Sequence, residues 1–169
     1  MRISRLKVIV LVLMSAVGFV ASAYVLIDFY YLGQQIICPS GSLFGIRLDC
    51  GAVLGSSYGR IFGVPLELLA SLYFLVNIAM VYVIAFGSDR AFRVSLQALF
   101  LWRFIGVAIV PYLVFVELFL LHAICIYCTI MHVAILVDFA VISYLLFFGE
   151  HSLWASGLGE FEKSTDGPA

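Results

Sequence analysis

Long apolar stretches constrain the fold of this chain more than any other feature. They run from Val8 to Tyr31, from Gly63 to Phe86, and over residues 94–148. A helix needs roughly 20 apolar residues to cross a membrane's hydrocarbon core of about 30 Å. The third stretch is too long for one crossing and must fold back as a hairpin, which we place near Glu117–His122. The sequence therefore predicts an all-α membrane protein, a bundle of four transmembrane helices.

The composition agrees with a lipid environment. Hydrophobic residues make up 64% of the chain and charged residues 11%, whereas soluble domains are about half apolar and a quarter charged. The net charge of −1 argues against nucleic acid as a partner. We expect one membrane domain over residues 1–150 and, because residues 151–169 are rich in Gly, Ser and charge, a disordered cytoplasmic tail.

The first apolar stretch has two interpretations. Basic residues precede it and Ala21-Ser22-Ala23 resembles a signal-peptidase site, as in a secretory leader. The apolar run continues past that point through Tyr24–Ile27, and its length favours a retained helix. An N-terminus at Tyr24 in the native protein would contradict that preference.

Basic residues near helix ends predict the orientation, because they stay on the cytoplasmic side. Arg47 and Arg60 lie on one side of the predicted membrane. A larger set lies on the other: Arg2, Arg5, Lys7, Arg90, Arg93 and Lys163. We therefore expect a multi-pass protein of the cell membrane with both termini cytoplasmic. The segment from Leu32 to Phe62 and the turn near residue 120 would then be extracytoplasmic.

Four cysteines would lie on that outer, oxidising side, where disulfides persist. Cys125 and Cys128 form a Cys-x-x-Cys pair near the start of the fourth helix, where positions three apart share a face and the helix dipole favours a thiolate. We expect Cys125 to lie nearer the surface and to exchange with other thiols. Cys128 lies about one turn deeper, where a membrane-dissolved oxidant reaches it.

Cys38 and Cys50 lie in the outer loop. The intervening segment, Pro39–Asp49, contains Gly41 and Gly45, so we expect the loop to swing and carry a thiol from a protein partner to the helix pair. Disulfide exchange needs a thiolate that attacks a disulfide sulfur, and two cysteine pairs therefore make a relay.

Two other interpretations of the cysteines remain open. A structural zinc site usually has short ligand spacings in polar loops, which fits the wide loop pair and the apolar helix pair poorly. A static loop disulfide with two packed helix cysteines is the second alternative.

The cysteine order resembles the vitamin K epoxide reductase family, in particular its prokaryotic members. The stretch from Cys50 to Ser56 is similar to the family's loop cysteine followed six residues later by its serine. Ile61-Phe62-Gly63-Val64-Pro65 is similar to the start of the second helix in the prokaryotic branch. The resemblance covers roughly residues 8–148 and includes no fused thioredoxin-like domain.

The resemblance implies a catalytic role for all four cysteines. Cys128 would react with the quinone, Cys125 would exchange with Cys50, and Cys38 would face a separate thioredoxin-like protein on the extracytoplasmic side. The quinone would be of the ubiquinone, menaquinone or vitamin K type.

The resemblance also implies a quinone pocket. Segment 53–62, with Leu54, Ser56 and Phe62, resembles a short horizontal helix between the first two spans that covers this pocket. Ser56 would donate a hydrogen bond to the quinone; alternatively, Ser56 or Ser57 only caps the short helix.

Two positions depart from the animal enzymes. Those enzymes have a pocket asparagine where this chain has Gly59, and a tyrosine where it has His132. Both residues are tied to binding the vitamin, so epoxide reduction is not expected. His132 lies one turn beyond Cys128 and is a candidate quinone ligand or proton carrier; alternatively, a backbone carbonyl of a neighbouring helix satisfies it.

Other ionisable residues receive structural interpretations. Arg103 and Asp138 fall at matching depth on the two helices of the hairpin, so we expect them to pair, since an unpaired charge there is costly. Glu67 and Glu117 are expected at outer helix ends that water reaches.

The leading hypothesis is a quinone-dependent thiol–disulfide oxidoreductase that generates disulfides for extracytoplasmic proteins. One alternative runs the chemistry in reverse, as a vitamin K quinone or epoxide reductase driven by partner thiols. The other is a non-enzymatic membrane scaffold with a structural disulfide.

Overall fold

A computed structural model describes residues 5–33, 36–39, 41–43, 45–86 and 89–147, except for the side chains of residues 5, 43, 89–94 and 96. The predicted tail, residues 151–169, and two basic residues used for the orientation, Arg2 and Lys163, lie outside the described residues.

Four long helices dominate the described chain. Helix α1 spans Arg5–Val25 and continues as a π-helical turn, Leu26–Tyr31; α3 spans Leu66–Phe86. Helix α4 spans Asp89–Phe115 and continues as a second π-helical turn, Val116–Leu120; α5 spans Ile126–Phe147. The segments long and apolar enough to cross a membrane are Leu6–Tyr31, Leu66–Phe86, Gln97–Leu120 and Ile126–Phe147. The predicted four-helix architecture is confirmed, and the hairpin turns at residues 121–125.

The bundle has apolar side chains on its outer faces and polar side chains in its interior, as expected for helices surrounded by lipid. Large apolar side chains such as Val20 and Leu101 are about two-thirds exposed on the outer helix faces. In contrast, Ser15, Ser22 and Asn77 are fully buried inside. Polar groups of membrane helices face the bundle interior because lipid offers them no hydrogen bonds.

Helix α1 packs closely against α3 at Gly18. A Cβ atom placed there would overlap the ring of Phe74, which is fully buried. Only glycine therefore allows the two helices to approach this closely.

The predicted pairing of Arg103 with Asp138 is confirmed. A guanidinium nitrogen lies 3.5 Å from the Asp138 carboxylate, and both side chains are fully buried. A second guanidinium nitrogen donates to the Asp138 carbonyl oxygen at 2.7 Å, and the Ser15 hydroxyl donates to the carboxylate at 2.7 Å. The pair therefore links α1, α4 and α5 in the bundle interior.

Short strands lie outside the apolar spans, where none was predicted. Strands β1 (Gly41–Leu43) and β2 (Ile46–Leu48) pair antiparallel, and β2 pairs in parallel with β5 (Ala123–Ile124). Strands β3 (Arg60–Ile61) and β4 (Val64–Pro65) form a separate hairpin. Segments of two or three residues are too short to show the alternating pattern by which strands are recognised.

The predicted horizontal helix over 53–62 is corrected. Helix α2 spans Cys50–Leu54 only, and a 3₁₀ turn, Ser57–Gly59, follows before β3. Asp49 fixes the start of α2, because its carboxylate accepts the Ala52 N–H at 2.9 Å. Neither Ser56 nor Ser57 caps this helix.

Candidate functional site

All four cysteines lie in one cluster. Cys50 and Cys125 are almost fully buried in it, and Cys38 and Cys128 pack against it. The predicted meeting of the loop pair with the helix pair is therefore present in the fold.

The parallel pairing of β2 with β5 brings Cys50 and Cys125 together. Leu48 is paired with Ile124, and the Asp49 N–H donates to the Ile124 carbonyl at 3.1 Å. Neighbouring strands lie about 4.8 Å apart. Cys125 follows Ile124 directly, and Cys50 lies two residues after Leu48, one beyond the position opposite Cys125. The strand pairing therefore brings the two cysteines into one buried cluster.

The loop that carries Cys38 and Cys50 is anchored at both ends, which differs from the swinging loop that we expected. Cys38 and Cys50 form a disulfide, while Cys125 and Cys128 are free thiols. The β2–β5 pairing fixes the Cys50 end. At the other end, the Tyr127 hydroxyl donates to the Ile37 carbonyl at 2.8 Å.

Cys125 is the N-cap residue of α5. Its carbonyl accepts the Thr129 N–H at 3.0 Å, and its sulfur accepts the Cys128 N–H at 3.5 Å. The pKa of the Cys125 thiol is lowered, because it accepts hydrogen bonds from the Cys128 side chain and backbone, although burial opposes this. The start of α5 contributes one of these hydrogen bonds, the one from the Cys128 N–H.

Cys128 lies about one turn beyond Cys125 along the chain, as predicted, but the accessibility of the two side chains does not follow this order. Cys125 is fully buried, whereas Cys128 is only partly buried. The reason is that β5 and α2 pack over Cys125, a contact that helix periodicity alone does not reveal.

A cavity of about 380 Å³ lies between α3, α4 and α5 and is covered by α2 and the 3₁₀ turn. Most of its wall is apolar. The polar or reactive residues in the wall are Ser56, Tyr58, Glu67, Tyr73, Trp102, Glu117, Cys128 and His132.

The structure places four of the five predicted pocket residues in this wall: Leu54, Ser56, Cys128 and His132. Phe62 is the exception. Its side chain is fully exposed and it does not line the cavity. The chain reverses between β3 and β4 at Phe62 and Gly63, which both have positive φ angles, 51° and 82°, and this tight turn directs the Phe62 ring away from the bundle.

Ser56 and His132, the two predicted polar ligands, differ in whether they already form a hydrogen bond within the protein. The Ser56 hydroxyl already donates to the Val53 carbonyl at 2.7 Å, so it faces a ligand as an acceptor rather than as the predicted donor. The His132 side chain is nearly buried, at 8% exposure, and no hydrogen bond joins its ring to another described residue. It is therefore available to a molecule in the cavity.

Sequence reasoning missed several polar groups in the cavity wall. Glu67 and Glu117, expected at wetted helix ends, are buried at 3% and 6% exposure. Three buried polar atoms of the wall lack a hydrogen-bond partner among the described residues: Glu67 Oε2, the Tyr73 hydroxyl and Trp102 Nε1. The charged residues inside otherwise apolar runs were the available signal, since buried charges in spans are usually functional or paired.

The chain matches the vitamin K epoxide reductase family over residues 9–143, a range that contains all four cysteines and the whole cavity wall. A comparison with curated proteins gives no match. Since the match covers most of the chain, the protein belongs to the vitamin K epoxide reductase family of membrane oxidoreductases.

Proposed function

We propose that this protein is a quinone-dependent thiol–disulfide oxidoreductase that generates disulfides in proteins folding outside the cell membrane. Electrons would pass from a thioredoxin-like partner through Cys38/Cys50 and Cys125/Cys128 to a membrane quinone. One observation carries the proposal: Cys128 belongs both to the cysteine cluster and to the cavity wall. It can therefore exchange electrons with a sulfur on one side and a quinone on the other.

The relay runs by ordinary disulfide exchange. A partner thiolate attacks Cys38, breaks the Cys38–Cys50 bond and releases Cys50 as a thiolate. This thiolate attacks Cys125 of a Cys125–Cys128 disulfide and releases Cys128. The partner's second thiol then frees Cys38 and leaves as a disulfide. Cys38 attacks the Cys50–Cys125 bond, which restores the loop disulfide and releases Cys125 as a thiol. Once reduced, Cys125 and Cys128 pass two electrons and two protons to the quinone, which leaves as hydroquinone and restores their disulfide.

Exposure supports Cys38 as the residue that meets the partner. Cys50 is 1% exposed, whereas Cys38 is partly exposed and its neighbour Ile37 is 81% exposed. An incoming thiolate must approach in line with the disulfide, and only the Cys38 sulfur offers such access. The apolar Ile37 side chain would contact the partner's surface.

The cavity suits a quinone. Its volume of about 380 Å³ lies within the range of small-molecule pockets, roughly 300–1,000 Å³. A quinone is a flat apolar ring with two carbonyl oxygens that accept hydrogen bonds. The unpartnered Tyr73 hydroxyl and Trp102 N–H are donors of the required kind in an otherwise apolar wall.

The deciding experiment is quinone reduction by the purified protein with a reduced thioredoxin-like partner, followed by quinone absorbance. We expect turnover in the wild type and none in Cys128→Ala. Equal turnover in both proteins would contradict the proposed route. Disulfides that do not change with added quinone would favour the structural scaffold instead.

Vitamin K epoxide reduction is the second candidate, and the close packing around Gly59 argues against it. A Cβ atom at this position would lie 2.8 Å from the Leu54 carbonyl oxygen. The asparagine that the animal enzymes carry there would require α2 to move. We expect the protein to reduce vitamin K quinone without reducing the epoxide, and product analysis by chromatography distinguishes the two.

His132→Phe should weaken quinone binding. The substitution keeps an aromatic ring in the wall but removes its hydrogen-bonding nitrogens. Loss of one hydrogen bond of about 1 kcal/mol corresponds to a rise in the quinone KM of roughly fivefold. His132→Gln, which keeps a donor and an acceptor, should recover part of the loss. An unchanged KM in His132→Phe would remove His132 from the quinone site.

A further inference from the structure

Glu117 connects Cys125 to the cavity. It lies in the π-helical turn Val116–Leu120, a type of distortion that often occurs at functional sites. Its Oε2 accepts the backbone N–H of Cys125 at 3.4 Å, and its side chain also lines the cavity. The residue therefore touches both the buried cysteine and the space proposed for the quinone.

A structural ion pair does not explain this carboxyl group. Asp138, another buried acid, is neutralised by Arg103 and hydrogen-bonded by Ser15. Glu117 forms no salt bridge with any described residue, and its only described hydrogen bond is the one from Cys125. A buried carboxyl group without a cation costs free energy in a membrane protein, so its retention there calls for a chemical role.

The two cysteines of the helix pair differ in their access to the cavity. Cys128 lines it, so the Cys128 thiol proton can pass to a quinone directly. Cys125 is fully buried and is not part of the wall. Its proton therefore needs a carrier before its sulfur can close the disulfide.

We propose that Glu117 is this carrier: it accepts the proton of the Cys125 thiol and delivers it to the quinone in the cavity. The inference rests on the proposed function. Two S–H bonds break, one S–S bond forms, and the quinone gains two O–H bonds with two electrons. One proton moves from Cys128 directly and the other through Glu117, so atoms and charge balance.

Apart from the second thiol of the helix pair, no other titratable group near the site combines a described contact with Cys125 and a place in the cavity wall. Glu67 and His132 line the same cavity and can bind or protonate a quinone. Neither has a described contact with Cys125, whereas Glu117 has one. His122 and Arg47 lie at the neighbouring turn, where the Arg47 N–H donates to the His122 carbonyl, and their side chains are not part of the cavity wall.

Glu117→Gln tests the proposal with little risk to folding, because the amide oxygen still accepts the Cys125 N–H. The fully reduced protein is mixed with quinone, and the single-turnover rate is measured between pH 6 and 9. We expect a rate at least about 100-fold below the wild type at neutral pH, since general acid–base catalysis contributes about 10²–10⁴-fold. Quinone affinity should change less than threefold.

The pH profile separates proton transfer from a structural effect. Without Glu117, the Cys125 proton must leave to hydroxide, so the rate should rise about tenfold per pH unit until the thiol is ionised. The wild-type rate should instead level off once Glu117 is ionised. The matched control is Asp28→Asn, the same acid-to-amide change in the other π-helical turn and outside the cavity wall, which should keep the wild-type pH profile. A wild-type rate in Glu117→Gln, or a reduced rate with the wild-type pH profile, would overturn the proposal.

A second oxidant separates this inference from the proposed function. Diamide oxidises a dithiol by accepting two electrons and two protons, without a quinone. Closure of the Cys125–Cys128 disulfide by diamide, followed by thiol trapping, should also be slower in Glu117→Gln. If the wild type reduces no quinone while this difference persists, the quinone function fails and proton transfer by Glu117 stands. If closure by diamide is equally fast in both proteins, the proton-transfer role fails.

Discussion

The double variant Cys38→Ser, Cys128→Ser should form a Cys50–Cys125 disulfide in nearly every molecule on mild oxidation. The pairing of Leu48 with Ile124 and the Asp49–Ile124 hydrogen bond fix the backbone beside both cysteines. Cys50 lies one residue beyond the position opposite Cys125, and both cysteines are buried in the same cluster, so a small backbone adjustment brings their sulfurs within the range that a disulfide bridges. This bond is also the intermediate that the relay requires.

Peptide mapping without reduction would identify the cross-link, and maleimide labelling after denaturation would quantify the remaining thiols. The matched control is Cys50→Ser, Cys128→Ser, which leaves Cys38 and Cys125. Cys38 is not held by the β2–β5 pairing, so this control should cross-link far less. Two free thiols in the first variant after oxidation would mean that the loop pair and the helix pair do not exchange through Cys50 and Cys125.

The helices of this fold are predictable from sequence, and the strands are not. The apolar runs that become Leu66–Phe86 and Ile126–Phe147 are visible because crossing a membrane requires a minimum length of apolar residues. Pairing of β2 with β5 involves two residues of the second strand and joins segments far apart in the chain. Such a contact leaves no periodic pattern, and yet it brings the two cysteine pairs together.

The residues of the candidate site also fall into two groups, those that the sequence predicts and those that it does not. The reactive cysteines and His132 were identified because their residue types and spacing carry the chemistry themselves. Glu117 and Glu67 were assigned to wetted helix ends, since distance along a span does not show which neighbouring element covers a side chain. Phe62 was placed in the pocket wall because a hairpin turn of two residues cannot be distinguished from a helix end by pattern alone.

Asp138→Leu should destabilise the bundle more than any other single change considered above. It removes the partner of Arg103, whose guanidinium is fully buried and cannot lose its proton inside a protein. Removal of one partner of a buried pair costs about 3–5 kcal/mol. Arg103→Leu should cost less, because the remaining carboxyl group can take up a proton and still accepts the Ser15 hydroxyl.

The double variant Arg103→Leu, Asp138→Leu should recover most of this loss. Replacement of both charges by apolar groups removes the cost of burying either one, and such exchanges are often neutral or stabilising. Reversible unfolding in mixed micelles would give the free energy of unfolding for the four proteins of the cycle. A favourable coupling of several kcal/mol is expected, because each single variant leaves an unpaired ionisable group in the apolar interior that the second substitution removes. Additive losses would mean that the two residues act independently despite their 3.5 Å separation.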